Sequence, residues 1–225
     1  MNSRPVPETR FQKAVADPRR ALQFSVALLR GHICRAWYRL RGVRFQAGRS
    51  FCIYGRLSVK GPGAVVFGDN VSVEDLVTPW TYDINAKIVI GDNVMLAGTR
   101  FGCKQSITVG RDSILADASI ADTAFHSIRS DRRSEAAPVR VAPVVIGENV
   151  WLARAVGILP GTRVGNNSVV GYGAVCVRDY PADVVIFGNP AKVIMPVPHP
   201  AKPEDRGTAA DARAEFLAPG AVTTA

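Results

Sequence analysis

The sequence predicts an all-β fold, a left-handed parallel β-helix built from hexapeptide repeats, over residues 46–178. Three observations predict it. First, a six-residue rhythm recurs: an aliphatic residue, a small one, two polar ones, then a small or β-branched residue. It reads Ile90-Gly-Asp-Asn-Val, Leu96-Ala-Gly-Thr-Arg, Val109-Gly-Arg-Asp-Ser and Leu115-Ala-Asp-Ala-Ser. It resumes as Ile146-Gly-Glu-Asn-Val, Leu152-Ala-Arg-Ala-Val, Ile158-Leu-Pro-Gly-Thr, Val164-Gly-Asn-Asn-Ser and Val170-Gly-Tyr-Gly-Ala. Eight of these nine hexads have Gly or Ala second, and eight have Val, Ser, Thr or Ala fifth. Second, the five hexads from 146 to 175 keep phase without a slip. Third, a weaker copy stands upstream at Phe67-Gly-Asp-Asn-Val. A period this short makes one wall of a solenoid, not a supersecondary unit in itself. The aliphatic residue points inward and stacks on its equivalents in the coils above and below, at about the 4.8 Å strand spacing. The small residue beside it lets the chain turn a corner, where Asn and Gly suit left-handed backbone values.

Before the solenoid, residues 1–20 are polar, basic and interrupted by Pro5, Pro7 and Pro18, and read as a loose lead. Residues 21–45 read as an amphipathic helix, with Leu22, Val26, Leu29, Ile33, Trp37 and Leu40 recurring at three and four on one stripe. Two readings of that stripe stand. It packs on the first coil and covers exposed backbone, as repeat folds require, or it lies on an anionic membrane surface. The first is the stronger, because the first coil always needs a cover.

The rhythm breaks once. From Ala121 to Ile146 is 25 residues, one coil of 18 plus seven. The charged, proline-bearing stretch at 127–143 cannot lie in a wall and is expected to bulge as a loop. Loops of that length in compact folds are commonly functional. His126 stands where the chain leaves the wall. Residues 179–196 read as a C-terminal cap, and 197–225, rich in Pro, Ala and charge, as a flexible tail.

Composition excludes several classes. Of the net charge of +9, residues 1–49 carry 11 Lys/Arg against 2 Asp/Glu, and the remainder carries 17 of each. A balanced body offers no basic groove, so no nucleic-acid partner is expected. No run approaches the roughly 18 apolar residues of a membrane span, and the N-terminus shows no apolar run with a small-residue cleavage site. Cys34, Cys52, Cys103 and Cys176 are scattered, which argues against a disulfide framework or a zinc site and suits a reducing cytoplasm. The expected location is cytoplasmic, with peripheral contact to the inner membrane surface through residues 20–45 as an extension.

The run Thr123-Ala-Phe-His126, then Pro143-Val-Val-Ile-Gly-Glu-Asn-Val-Trp151, then Gly188-Asn-Pro-Ala-Lys192 resembles the hexapeptide-repeat O-acetyltransferases. These act on galactosides, maltose, nodulation factors and exopolysaccharides of the colanic-acid type. The resemblance covers roughly 45–195. It implies a homotrimer with a site in each cleft between subunits, acetyl-CoA as co-substrate, a carbohydrate acceptor and no metal. By position it assigns His126 as the catalytic base. It places Trp151 beside the site, Arg154 and Tyr172 along the CoA arm, and Val177, Arg178 and Lys192 at the nucleotide end. Ala153, Val177 and Met195 depart from the family pattern, which has a glycine, a hydroxyl residue and a basic residue there, but Arg178 and Lys192 keep cations for phosphates.

The chemistry asked of these residues is proton transfer and juxtaposition. A sugar hydroxyl must lose its proton as it attacks a thioester, and imidazole is suited to take that proton and return it to the leaving thiolate. Asp117, Asp122 and Glu148 are the candidates to orient the ring. A rival on this scaffold, zinc carbonic anhydrase chemistry, needs three His ligands, and the helical body has one His. A non-catalytic scaffold gives no reason for a His at the loop exit. Amino-sugar, serine, antibiotic and lipid A acceptors compete with a polysaccharide sugar.

Overall fold

The computed structural model describes residues 17–199; the rest of the expected lead and tail lies outside them. The chain winds as a left-handed parallel β-helix of triangular cross-section. Its three walls are sheets of six, eight and six strands, joining every third strand in chain order through β18. Wall A holds β1 (Phe45–Ala47), β4 (Ala64–Phe67), β7 (Lys87–Ile90), β10 (Ser106–Val109), β13 (Val144–Ile146) and β16 (Arg163–Val164). Wall B includes β8 (Met95–Ala97), β11 (Ile114–Ala116), β14 (Trp151–Leu152) and β17 (Val169–Val170). Wall C holds β3 (Arg56–Leu57), β6 (Leu76–Thr81), β9 (Arg100–Cys103), β12 (Ser119–Ala121), β15 (Gly157–Ile158) and β18 (Val175–Cys176).

The hexad pattern explains the core. On wall B the inward column runs Ile53, Val73, Leu96, Leu115, Leu152, Val170, Ile186, in continuous parallel register and all buried. Each such side chain contributes roughly 1.5–3 kcal/mol by leaving water. In seven of the nine hexads the fifth residue also faces inward, and where that inward residue is a hydroxyl it satisfies corner backbone. Ser113 Oγ accepts from Val150 N (3.1 Å) and donates to Gly147 O (3.2 Å), and Thr162 Oγ1 donates to Cys176 O (3.1 Å). At the A–B corners Asn70, Asn93, Asn149 and Asn167 take φ of 57°, 58°, 53° and 57°. Their amides link coil to coil: Asn149 Nδ2 donates to Asn167 Oδ1 (3.1 Å), and Asn167 Nδ2 to Asp183 Oδ1 (2.9 Å).

The first coil is covered by helix α1 (Pro18–Leu40), which starts and stops earlier than the 21–45 expected from sequence. Pro18 sits in the first turn, and the Asp17 side chain accepts from Arg19 N (2.9 Å), so the helix begins at its cap. The docked face is not the apolar stripe. Ala27 and Gly31 are its buried residues, and a Cβ on Gly31 would fall 1.9 Å from Phe51 O, so only glycine allows this approach. Side chains beside that face satisfy open backbone of the first coil. Arg30 donates to Tyr54 O (2.8 Å) and Gly55 O (2.6 Å), Arg35 to Gly48 O (3.0 Å), and Tyr38 OH accepts from Val59 N (3.0 Å). The stripe, expected to pack on the coil, is exposed along its whole length, from Leu22 at 67% to Leu40 at 84%. It lies on the side of the helix opposite the docked glycine. Among the described residues, no helix is long and apolar enough to cross a membrane.

At the other end, β19 (Val184–Gly188) continues wall B, and β20 (Ala191–Pro196) folds back antiparallel on it. Tyr180 is buried and donates to Ala191 O (3.0 Å), tying this hairpin over the last coil.

Candidate active site

The loop that interrupts the coils leaves wall C after β12 and rejoins wall A at β13, so the excursion spans 122–143, wider than the 127–143 expected. Its neck is closed by backbone bonds from Ala142 N to Asp122 O (2.9 Å) and from Ala124 N to Arg140 O (3.0 Å). Asp122 anchors it. The buried carboxylate accepts from Lys104 N and Gln105 N, both at 2.7 Å, and from Cys103 Sγ at 3.4 Å. Burial, with that carboxylate beside it, pushes the Cys103 thiol up to about 12.

His126 stands at this neck, exposed. Its backbone N donates to Ala124 O (2.7 Å). None of the three orienting candidates reaches its ring within the chain. Asp122 is occupied as just described, Glu148 pairs with Arg111 (3.0 Å), and Asp117 pairs with Arg100 (3.4 Å).

Beside His126 lies a group of rings that sequence reasoning missed. The Lys60 ammonium sits 5.1 Å from the centre of the Trp80 ring. Trp80 stacks on Tyr82 at 4.9 Å and 19°, and Tyr82 meets Phe125 edge-on at 5.2 Å and 70°. The three rings are 41–44% exposed. Phe125 adopts φ 60°, a costly value for a bulky residue, with its N–H held by Thr123 Oγ1 (3.2 Å). Its ring lies over Gly102, where a Cβ would fall 2.4 Å from the ring tip. Gly102, Ala121 and Gly157 are outward positions of wall C, so that wall is low beside the rings. A contiguous exposed apolar patch of this kind marks a binding surface. Gly102 in a wall is the sequence signal that would have pointed here.

The residues assigned to CoA divide between two edges and another wall of the prism. Arg154 and Tyr172 occupy the B–C edge in adjacent coils, where Gly173 N donates to Arg154 O (3.0 Å). Arg154 also lines a groove with Thr78, Arg100 and Asp117. Val177 and Arg178 follow β18 at the C–A edge, the edge from which the His126 loop leaves two strands earlier. Trp151 points outward from wall B, half exposed, between Ile114 and Val169. Lys192 lies exposed in β20 opposite Phe187. The chain thus brings His126, the rings, Val177 and Arg178 to one edge, and Arg154 and Tyr172 to the next. Trp151 and Lys192 remain on another wall. Among the described residues no cluster of three or more metal-ligating side chains occurs.

A solenoid of these hexads with a histidine-bearing loop defines the class, a hexapeptide-repeat transferase, and comparison with known proteins agrees. The bacterial transferase hexapeptide (six repeats) model matches residues 143–178. The putative lipopolysaccharide biosynthesis O-acetyl transferase WbbJ of Escherichia coli is 33% identical over 155 residues, covering 65% of this chain and 68% of WbbJ. The chain belongs to the hexapeptide-repeat acetyltransferase family. A putative acetyltransferase of Saccharomyces cerevisiae, YJL218W, is 36% identical over 136 residues, covering 57% of this chain and 64% of its own length. For the putative colanic acid biosynthesis acetyltransferase WcaF of Escherichia coli the figures are 34%, 56% and 66%, so the match spans just under two thirds of both relatives. Among solved structures, the Bacillus cereus N-acyltransferase AntD, in complex with dTDP and 3-hydroxybutyryl-CoA, superposes with TM-score 0.61 at 16% identity. It covers 80% of this chain and 94% of that one, a likeness of fold.

Proposed function

We propose that the protein transfers an acetyl group from acetyl-CoA to a hydroxyl of a saccharide in surface-polysaccharide biosynthesis, with His126 as the general base. The observation that carries this reading is an exposed His126, with no side-chain partner among the described residues, next in the chain to Phe125 of a platform of exposed rings. Flat apolar rings suit the C–H faces of a pyranose. The relatives named for polysaccharide and lipopolysaccharide acetylation support the acceptor class.

In this reading the acceptor hydroxyl attacks the thioester carbonyl while His126 takes its proton. The tetrahedral oxyanion collapses and the C–S bond breaks. The imidazolium then returns the proton to the CoA thiolate, so the products are an acetyl ester and free CoA. The base contributes about 10²–10⁴-fold, and holding the two substrates together supplies as much or more. Arg154, Arg178 and Lys192 are exposed cations for the CoA phosphates, and Tyr172 and Val177 flank the arm. Trp151, on another wall from His126, joins the site when a neighbouring copy supplies it. We therefore place the site between subunits of a homotrimer. The peptide acts at the cytoplasmic side of the membrane, where acetyl-CoA is found.

The test is incubation of the purified chain with acetyl-CoA and a panel of pyranosides, nucleotide sugars and amines, reading released thiol and product mass. Ester formation on a saccharide is expected. Thiol release with amines alone would contradict the acceptor class, and no release with any acceptor would contradict the activity.

A further inference from the structure

The geometry points to the outer face of helix α1 as a docking surface for an anionic lipid bilayer, a role independent of the transferase reading. The six apolar residues of the stripe could have covered the first coil, but Ala27, Gly31, Arg30, Arg35 and Tyr38 already do so. Leu22, Val26, Leu29, Ile33, Trp37 and Leu40 are left 47–84% exposed along a helix of 23 residues, an apolar stripe about 27 Å long. At 100° per residue they fall within one narrow sector, centred opposite Gly31. The stripe therefore faces away from the prism, off its first-coil end.

Charge selects the occupant. Between Pro18 and Gly68 the chain has ten Lys/Arg and no Asp/Glu. Arg41 flanks the stripe with its guanidinium 5.4 Å from the Trp37 ring centre, and Arg39 and His32 lie on the other side, exposed. A two-fold pairing of this face with a second copy would set cations against cations. An anionic bilayer takes both features together: the apolar stripe enters the boundary between headgroups and acyl chains while the arginines meet lipid phosphates. Docked this way, the protein stands with its first coil toward the membrane. The loop bearing His126 leaves from the fourth strand of wall C, three strand spacings above the first, or about 14 Å.

The test is co-sedimentation of the full chain with phosphatidylcholine vesicles made with and without phosphatidylglycerol, at low and high salt. Binding to the anionic vesicles is expected, weakened at least about tenfold without phosphatidylglycerol and about tenfold in the double variant Leu29→Asp, Ile33→Asp. The variant's circular dichroism and its oligomeric mass by light scattering are expected to match wild type. Leu22→Asp with Leu40→Asp, at the ends of the stripe, replaces it if the first pair perturbs folding. No retention on anionic vesicles would overturn the inference, as would retention unchanged in both variants. A smaller oligomeric mass in the variants would assign the stripe to a second copy instead.

Discussion

The wall-B column and the helix stripe are both periodic runs of aliphatic residues, yet one is sealed in the core and the other faces solvent. Leu115 in the column is fully buried; Leu29 in the stripe is 59% exposed. The difference lies in what fixes each face. In a coil, closure of the chain on itself leaves one inward direction, and strand alternation assigns every residue to it or away from it. A helix docked on the end of a solenoid can turn either face down. Here close approach decided. Gly31 lets the helix backbone meet Phe51 O, and Arg30, Arg35 and Tyr38 satisfy first-coil carbonyls and amides that an apolar face would have left unpaired.

Three measurements sharpen that comparison. The largest effect is expected in the column. Leu115→Ala should lower stability by about 2–5 kcal/mol through lost burial and a cavity, against a change within about 0.5 kcal/mol for Leu29→Ala, both read by denaturant unfolding. Equal costs would break the contrast. Gly31→Leu comes next. Its side chain meets Phe51 backbone, so it should undock the helix and speed amide exchange across α1 while the central walls stay protected, since solenoid stability is largely local. The smallest effect is chemical. Burial pushes the Cys34 and Cys176 thiols up to about 11 and Cys103 to about 12. These three should react slowly with a disulfide reagent near neutral pH and promptly after unfolding. Fast labelling of Cys103 in the native protein would show that the neck at Asp122 opens.

The walls were legible because a six-residue period admits few other folds, and because in seven of the nine hexads the fifth-position Val, Ser, Thr or Ala lies inward; in the hexads at Leu96 and Leu115 the fourth residue, Thr99 or Ala118, takes that place. The stripe of α1 was legible as a stripe, but periodicity says which residues share a face and not which face is covered. The site was legible in part. His126 announced itself by standing at the break in the rhythm. The rings beside it did not, because Trp80 and Tyr82 fall in a stretch without a clean hexad, and Phe125 reaches Gly102 only through a left-handed backbone value that no pattern signals. The partners of Asp122 were hidden for a similar reason. They lie on the preceding coil, 18 and 17 residues away, and the nearness of Asp122 to His126 in sequence suggested a different role.

The central claim is that His126 at the loop neck moves the proton. The most direct measurement is acetyl transfer by the His126→Ala variant, beside the affinity of that variant for acetyl-CoA. Turnover is expected to fall by about 10²–10⁴-fold with acetyl-CoA affinity within a few-fold of wild type. Turnover that stays within a few-fold of wild type would contradict the assignment of His126 as the base.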